Sequence, residues 1–315
     1  MNLPDIDTIT LQQITEDVLF VQYNGSLTPF NVTEGLLVLP KQGRNRTSIA
    51  LDVNMPPDVV AALRDAFGPF SDYICTSGRP AHITHLHAWE SAGTVVHAPK
   101  PECEGIIEMK KAYKGLGFSE GMKFSQFRNA MDSLGYQPPK SVVPYRPGNI
   151  FRFDNLVVGT MPFRGSSPSH VGLMLVNERI FHIGTLGCDN ERPVCGGIGP
   201  VCGYRGCDVP KYGRDIDFLK IVFLDHADFL TGTGTSLAAR PDIAPFEYMT
   251  AKLEGAHDSI LAAYNEVRRK QKSPKKQILM LLEQELLFPR GNMPDEHRGL
   301  YESLEYWTIR NHLGL

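Results

Sequence analysis

Tyr73-Ile74-Cys75-Thr76-Ser77-Gly78-Arg79-Pro80-Ala81-His82 is the stretch from which the fold is read. Its first three residues form a short buried strand. Upstream, Thr47-Ser48-Ile49-Ala50-Leu51 is a strand ending at Asp52, and Pro56-Pro57 opens a helix to about Phe67 with Val59, Val60, Leu63 and Phe67 on one face. Earlier still, Val18-Leu19-Phe20-Val21 and Gly35-Leu36-Leu37-Val38-Leu39 are strands, with turn signals at Asn24-Gly25 and at 42–45. Downstream come a strand at Thr94–His97 and an amphipathic helical region over 104–137. Strands come next at 150–153, 156–158, 171–176 and 180–183. A loop rich in Gly, Pro and Cys over 187–213 leads to a strand at Phe218–Leu224. From about Pro245 the chain is helical, with helices over 278–288 and from about 295 to 312. This order predicts an α/β protein of two sheets packed face to face, helices outside, and a helical appendage. The division falls at 1–240 and 241–315.

Composition narrows the function. The 315 residues carry 32 Lys+Arg and 35 Asp+Glu, a net charge of −3, so no global basic charge favours a nucleic acid. Apolar residues make up 42% and charged residues 21%, which argues against disorder. No apolar run approaches the ~18 residues of a membrane span. The first Lys or Arg is Lys41, so the N-terminus lacks a basic signal-peptide region. A cytoplasmic location with reduced thiols and a small-molecule ligand is expected.

Taken in order, five segments resemble motifs of the metallo-β-lactamase superfamily. Ile49-Ala50-Leu51-Asp52 resembles the strand ending in Asp. Thr76-Ser77-Gly78-Arg79-Pro80-Ala81-His82 stands where the family has Thr-His-x-His-x-Asp-His, and Arg164-Gly165-Ser166-Ser167-Pro168-Ser169-His170 where it has Pro-Gly-His-Ser-Pro-Gly-His. Phe181-His182-Ile183-Gly184-Thr185 is similar to the strand ending in Gly-Asp, with Thr185 for the Asp. Gly232-Thr233-Gly234 is similar to the late Gly-His-Gly. The resemblance implies a metallo-β-lactamase-like αββα sandwich with a C-terminal helical subdomain, and hydrolysis of an ester, thioester or lactone. It also shows a departure. Of the seven ligand positions only His82 is a ligand type; Ser, Thr and Ala do not hold zinc or iron alone, and Arg79 repels a dication. A conventional dinuclear zinc or iron centre is therefore not expected. A shifted register, Thr84-His85-Leu86-His87-Ala88-Trp89-Glu90, leaves Glu90 only five residues before Val95, too few for the family's helical turn. His85 and His87 then belong to a packed or solvated helix face, or face substrate.

The remaining side chains can still do chemistry. Ser77, Ser166, Thr185 and Thr233 are expected to face one cleft with His82 and Arg79. Ser or Thr beside His is the minimum for nucleophilic catalysis, which also needs an orienting acid. Arg79 suits a carboxylate or an oxyanion. Asp52 is expected to brace the loop below the cleft. His170, at a family position that is not a ligand, is read as a structural hydrogen bonder or a substrate contact.

Cys188-x6-Cys195-x6-Cys202-x4-Cys207 lies in the glycine-rich loop. Four thiolates close a tetrahedral zinc site or hold an iron–sulfur cluster; incidental buried thiols and disulfides are the alternatives. Three functions stay open: a hydrolase-like enzyme with a divergent site, a non-catalytic homologue binding a ligand or partner, and a redox or sensor protein using the cysteines. The apolar stripe Leu279, Leu282, Leu286, Phe288, Leu300, Leu304, Trp307 and Leu313 is core or a homodimer face. The basic run Arg268, Arg269, Lys270, Lys272, Lys275 and Lys276 is a solvated hinge or an anion site.

Overall fold

The computed structural model describes residues 6–24, 30, 34–39, 48–153, 156–186, 202–232, 235–288 and 294–315. The first half builds β1 (Ile9–Gln13), β2 (Val18–Tyr23), β3 (Gly35–Val38), β4 (Ser48–Leu51), α1 (Pro57–Phe67), β5 (Phe70–Ile74), α2 (Pro80–Ile83), α3 (Leu86–Ser91), β6 (Val95–Pro99), α4 (Cys103–Ile107), α5 (Met109–Gly115), α6 (Phe124–Ser133) and β7 (Val143–Tyr145). Its strands pair in chain order into one sheet, antiparallel from β1 to β4 and parallel from β4 to β7. The second half builds β8 (Ile150–Phe153), β9 (Leu156–Pro162), β10 (Val171–Leu175), β11 (Ile180–His182), α7 (Val209–His226), β12 (Phe229–Gly232) and β13 (Thr235–Ala239), whose strands form a second sheet. Helices α8 (Ala244–Lys270), α9 (Pro274–Leu282) and α10 (Asp295–Leu313) close the chain.

Alternation along the strands makes the layers. Val18, Phe20, Leu36, Val38, Ile49 and Leu51 of the first sheet meet Val158, Val171, Leu173, Leu175 and Ile180 of the second. The intervening Leu19, Val21, Leu37, Ala50 and Tyr73 point the other way, onto a core shared with α1, α3, α6 and the C-terminal helices. Phe181 and Leu230 pack outward with Phe223 and Phe246 from α7 and α8. Each fully buried aliphatic or aromatic side chain contributes roughly 1.5–3 kcal/mol. The result is helix, sheet, sheet, helix, as the pattern predicts.

The helix expected over 278–288 ends at Leu282, and a second element also differs from its sequence reading. Phe218–Leu224, expected as a strand, lies inside α7. Asp208 caps that helix by accepting from the Lys211 N–H at 2.9 Å, Pro210 sits in its first turn, and Tyr212, Ile216, Leu219 and Phe223 form its buried stripe. A short apolar run does not separate strand from buried helix; the cap ten residues earlier does.

Two contacts position the chain just after Asp52. The Trp89 indole N–H, fully buried on α3, donates to the Val53 carbonyl at 2.7 Å. Asn54 Oδ1 accepts from the His85 N–H at 2.8 Å. At the other end, the Trp307 indole N–H on α10 donates to Gly117 O at 3.0 Å. Asn311 Nδ2 donates to Cys202 O at 2.6 Å and Tyr204 O at 2.9 Å, so the C-terminal helix holds the loop below the second sheet.

This packing has measurable consequences. Trp89→Phe leaves the Val53 carbonyl without its donor and is expected to cost roughly 1–3 kcal/mol of stability, read from the urea unfolding midpoint. The other consequence concerns pH. Burial, then the neighbouring His87, lowers His85 to about 4; burial, then His257, does the same to His312. Both lie below the ordinary histidine value of about 6.5, so the unfolded chain takes up these protons first. Stability is full above about pH 6.5 and falls toward pH 4, by up to roughly 1.4 kcal/mol per pH unit for each group. Urea titrations at pH 7 and 5 measure the difference; equal stabilities at the two values would refute it.

Candidate functional site

Strand ends bring the site together. Asp52 follows β4, Thr76 follows β5, and His82 lies in α2. His182 ends β11, and Thr185 lies three residues beyond it. Asp52 is fully buried in a left-handed backbone conformation, φ +54°. Its Oδ1 accepts the Thr76 N–H at 2.8 Å. Its Oδ2 accepts the Thr76 hydroxyl and lies 3.2 Å from both His82 Nδ1 and His182 Nε2. The carboxylate thus has four partner atoms, one on Oδ1 and three on Oδ2. Burial alone would raise this carboxyl. The charge of His82, hydrogen bonds from His182 and His82, and then the charge of His182 outweigh burial and hold it well below the usual carboxylate range.

The tautomer of His82 is set by these partners. Thr76 spends its hydroxyl proton on Asp52, so both neighbours of His82 Nδ1, Thr76 Oγ1 and Asp52 Oδ2, can only accept. Nδ1 therefore carries a hydrogen, and loss of the other ring proton frees Nε2 to accept. It lies 2.7 Å from the hydroxyl of half-buried Thr185. The same logic gives His182 its hydrogen on Nε2, toward Asp52, while Nδ1 accepts from the Thr231 hydroxyl at 3.0 Å. Gly184 is required here. Its φ is +60°, and a Cβ would stand 2.7 Å from Thr76 Oγ1 and 3.0 Å from the His170 ring.

Around this chain of bonds lie other residues singled out by the sequence. Ser77 is buried; its hydroxyl accepts the Arg79 N–H at 3.3 Å and its carbonyl accepts the Cys75 thiol at 2.8 Å. Arg79 Nη2 donates to the Ser166 carbonyl, and its guanidinium stacks 4.8 Å from the centre of the Tyr204 ring. Glu102 ties the two loops together, accepting from the Gly78 N–H and the Ser169 hydroxyl. His170 Nε2 donates to Ile183 O at 3.1 Å, and its ring is 6.0 Å from that of His82. Burial, then Arg79 and His82, lowers His170 well below the usual histidine range, so the ring is neutral. A cavity of about 400 Å³ opens nearby, lined by Gly78, Glu102, Ala112, Pro168 and Tyr204 among others.

Other expected residues lie elsewhere. His85 and His87 sit side by side, rings 6.5 Å apart, among Asp58, Gly135 and Gln137. Glu90, the third residue of the shifted register, accepts the Lys140 and Ser141 N–H groups at 2.7 Å each. Thr233, Cys188 and Cys195 lie outside the described residues. Cys202 and Cys207 are both buried; contact with Cys207, then burial, raises the Cys202 thiol well above its ordinary value. The sequence singles out Asp52 as a brace and does not single out His182; the structure joins the two, both fully buried, through Asp52 Oδ2 and His182 Nε2. A histidine within the apolar strand Ile180–Ile183 was the available signal. Asp52, Cys75 and His82, all buried, offer ligand atoms within 4.8 Å of one another and could hold a metal ion.

No protein-family model and no curated protein matches the sequence. Solved structures do. A metallo-β-lactamase family protein from Thermus thermophilus is 14% identical, with a TM-score of 0.61 over 96% of this chain and 95% of that one. A metallo-β-lactamase of Pseudomonas aeruginosa, solved in its mono-zinc form, is 15% identical, with a TM-score of 0.54 over 80% of this chain and 98% of that one. The metallo-β-lactamase of Pontibacter korlensis is 12% identical, at 0.53 over 78% and 99%. Two face-to-face sheets flanked by helices, with further helices at the C-terminus, agree with these likenesses: the chain has the metallo-β-lactamase fold.

Proposed function

We propose that the chain is a hydrolase of the ester, thioester or lactone class that works through Thr185, His82 and Asp52. The observation that carries this reading is the 2.7 Å contact of Thr185 Oγ1 with His82 Nε2, on a ring whose other nitrogen faces Asp52. A hydroxyl is a weak nucleophile at neutral pH unless a base takes its proton, and the base works only in the right tautomer. Thr185 Oγ1 attacks the substrate carbonyl carbon while His82 Nε2 takes the hydroxyl proton. Asp52 stays ionised and stabilises the imidazolium. His82 then gives that proton to the departing alcohol, thiol or ring oxygen, leaving an ester on Thr185. Water attacks that ester, its proton passes to His82, and His82 returns a proton to Thr185 as the acid leaves. His182 positions Asp52 and touches no reacting atom.

A dinuclear zinc or iron centre fits these residues poorly. Where the resemblance puts ligands there are Ser77, Arg79, Ala81, Ser166 and Thr185, and Arg79 brings a fixed positive charge. At the Asp52–Cys75–His82 group the Cys75 thiol donates to Ser77 O, and burial, then the charge of Asp52, raises it well above its ordinary value. A metal at that group would have to displace this thiol proton and its bond to Ser77 O. The steps above accordingly use only side chains and water. A second reading rests on the contact between the Cys202 and Cys207 thiols, half of a four-cysteine set: a zinc or iron–sulfur centre with a structural or redox role beside the cleft.

Turnover of chromogenic ester, thioester and lactone substrates after dialysis against a chelator tests the first reading. Thr185→Ala and His82→Ala are each expected to lower kcat by roughly 10³-fold or more, and the double variant little further, because the two act as a unit. Unchanged turnover in Thr185→Ala, or activity abolished by chelation and restored by zinc, sinks it. Metal and acid-labile sulfide analysis tests the second. One zinc or one cluster per chain, lost in Cys202→Ser and Cys207→Ser, is expected; metal retained in both variants counts against it.

A further inference from the structure

Arg79 is 2% exposed, and a guanidinium stays charged at every pH at which proteins fold. Among the described residues no carboxylate pairs with it. It holds the Ser166 carbonyl through Nη2 and the Tyr204 face, while its Nε is buried without a partner. The hydroxyl of Ser166, itself fully buried, also lacks a partner. Buried charges persist when they are paired, and buried donors when they are bonded; a site that breaks both rules at once is built for something that arrives. The two free groups are donors and one carries positive charge, so the missing partner is an anion with oxygen acceptors. A guanidinium edge matches the two oxygens of a carboxylate.

The position of this charge gives it a role. Arg79 precedes His82 by three residues, and its carbonyl accepts the His82 N–H at 2.9 Å. Gly78, Ser167 and Tyr204, which flank Arg79 and Ser166 in sequence or by contact, also line the 400 Å³ cavity, where an organic body has room. We infer that Arg79 and Ser166 form a carboxylate-binding subsite beside the Thr185–His82 pair, so that the ligand of this cleft is a small organic molecule bearing a carboxylate. Assignment of that carboxylate to a substrate rests on the hydrolase reading; binding itself does not, and is measured without turnover.

The test is thermal unfolding of the full chain with sodium benzoate, benzamide serving as the neutral control. At about fifty times its Kd, benzoate is expected to raise the wild-type Tm by roughly 3–4 °C, and benzamide to leave it unchanged. Arg79→Met is expected to melt at or above the unliganded wild type, since a buried unpaired charge is gone, and to lose the benzoate shift. Arg79→Lys keeps a smaller one. No benzoate-dependent shift in the wild type, or an undiminished shift in Arg79→Met, overturns the subsite. Should Arg79→Met not fold, a benzoate titration of Ser166→Ala decides. A loss of affinity of roughly 5–10-fold is expected from one hydrogen bond, and unchanged affinity is fatal to the inference.

Discussion

The buried carboxylate of Asp52 is the constraint around which the rest of the molecule is arranged. An isolated ionised carboxyl in a protein interior costs several kcal/mol, and only a complete set of donors offsets that. Here the set comes from both sheets: Thr76 and His82 from the β5 side, His182 from β11. Between the sheets the surrounding contacts are aliphatic and aromatic and could slide. The bond from His182 to Asp52 is directional, so it fixes which end of β11 faces which end of β4. The first sheet is shaped to the same purpose. Gly35 on β3 passes so close to the turn that a Cβ would meet Leu51 O at 2.1 Å and Asp52 C at 2.6 Å.

Much of this architecture is legible in the chain itself, because strands and amphipathic helices announce themselves over a few residues. Pro56-Pro57 with Val59, Val60 and Leu63 gives α1, and alternation in β2 to β4 gives two sheet faces. Reading failed where the deciding signal lay outside the window. The run Phe218–Leu224 looks extended until the cap at Asp208 is included. The site divides in the same way. His82 and Thr185 stand out because they occupy motif positions. The partnership of His82 with Asp52 spans 30 residues, and that of Asp52 with His182 spans 130, and nothing local encodes either. The acid that sequence reasoning found lacking beside His82 was already in view, with a bracing role. Only the sheet pairing brings it under the imidazole.

The fold explains why such a regrouping is available. Parallel strands end at one edge, and loops leaving β4, β5 and β11 converge there whatever side chains they carry. In the proposed reading, Ser, Thr and Arg at the positions where the resemblance puts ligands lower the capacity to hold cations and leave this convergence unchanged. On that reading a base with a fixed tautomer needs only a hydroxyl at the right distance, and Thr185 Oγ1 lies 2.7 Å from His82 Nε2.

The two buried charges of this cleft differ in a way that separates structure from use. Asp52 is fully bonded, and its surroundings would be broken by its removal, as expected of a group that organises the fold. Arg79 has one carbonyl, one aromatic face and an unbonded Nε, so folding gains little from it relative to an apolar side chain of similar volume. Arg79 lies three positions before His82 and against the Tyr204 ring, which is where the proposed subsite needs its charge.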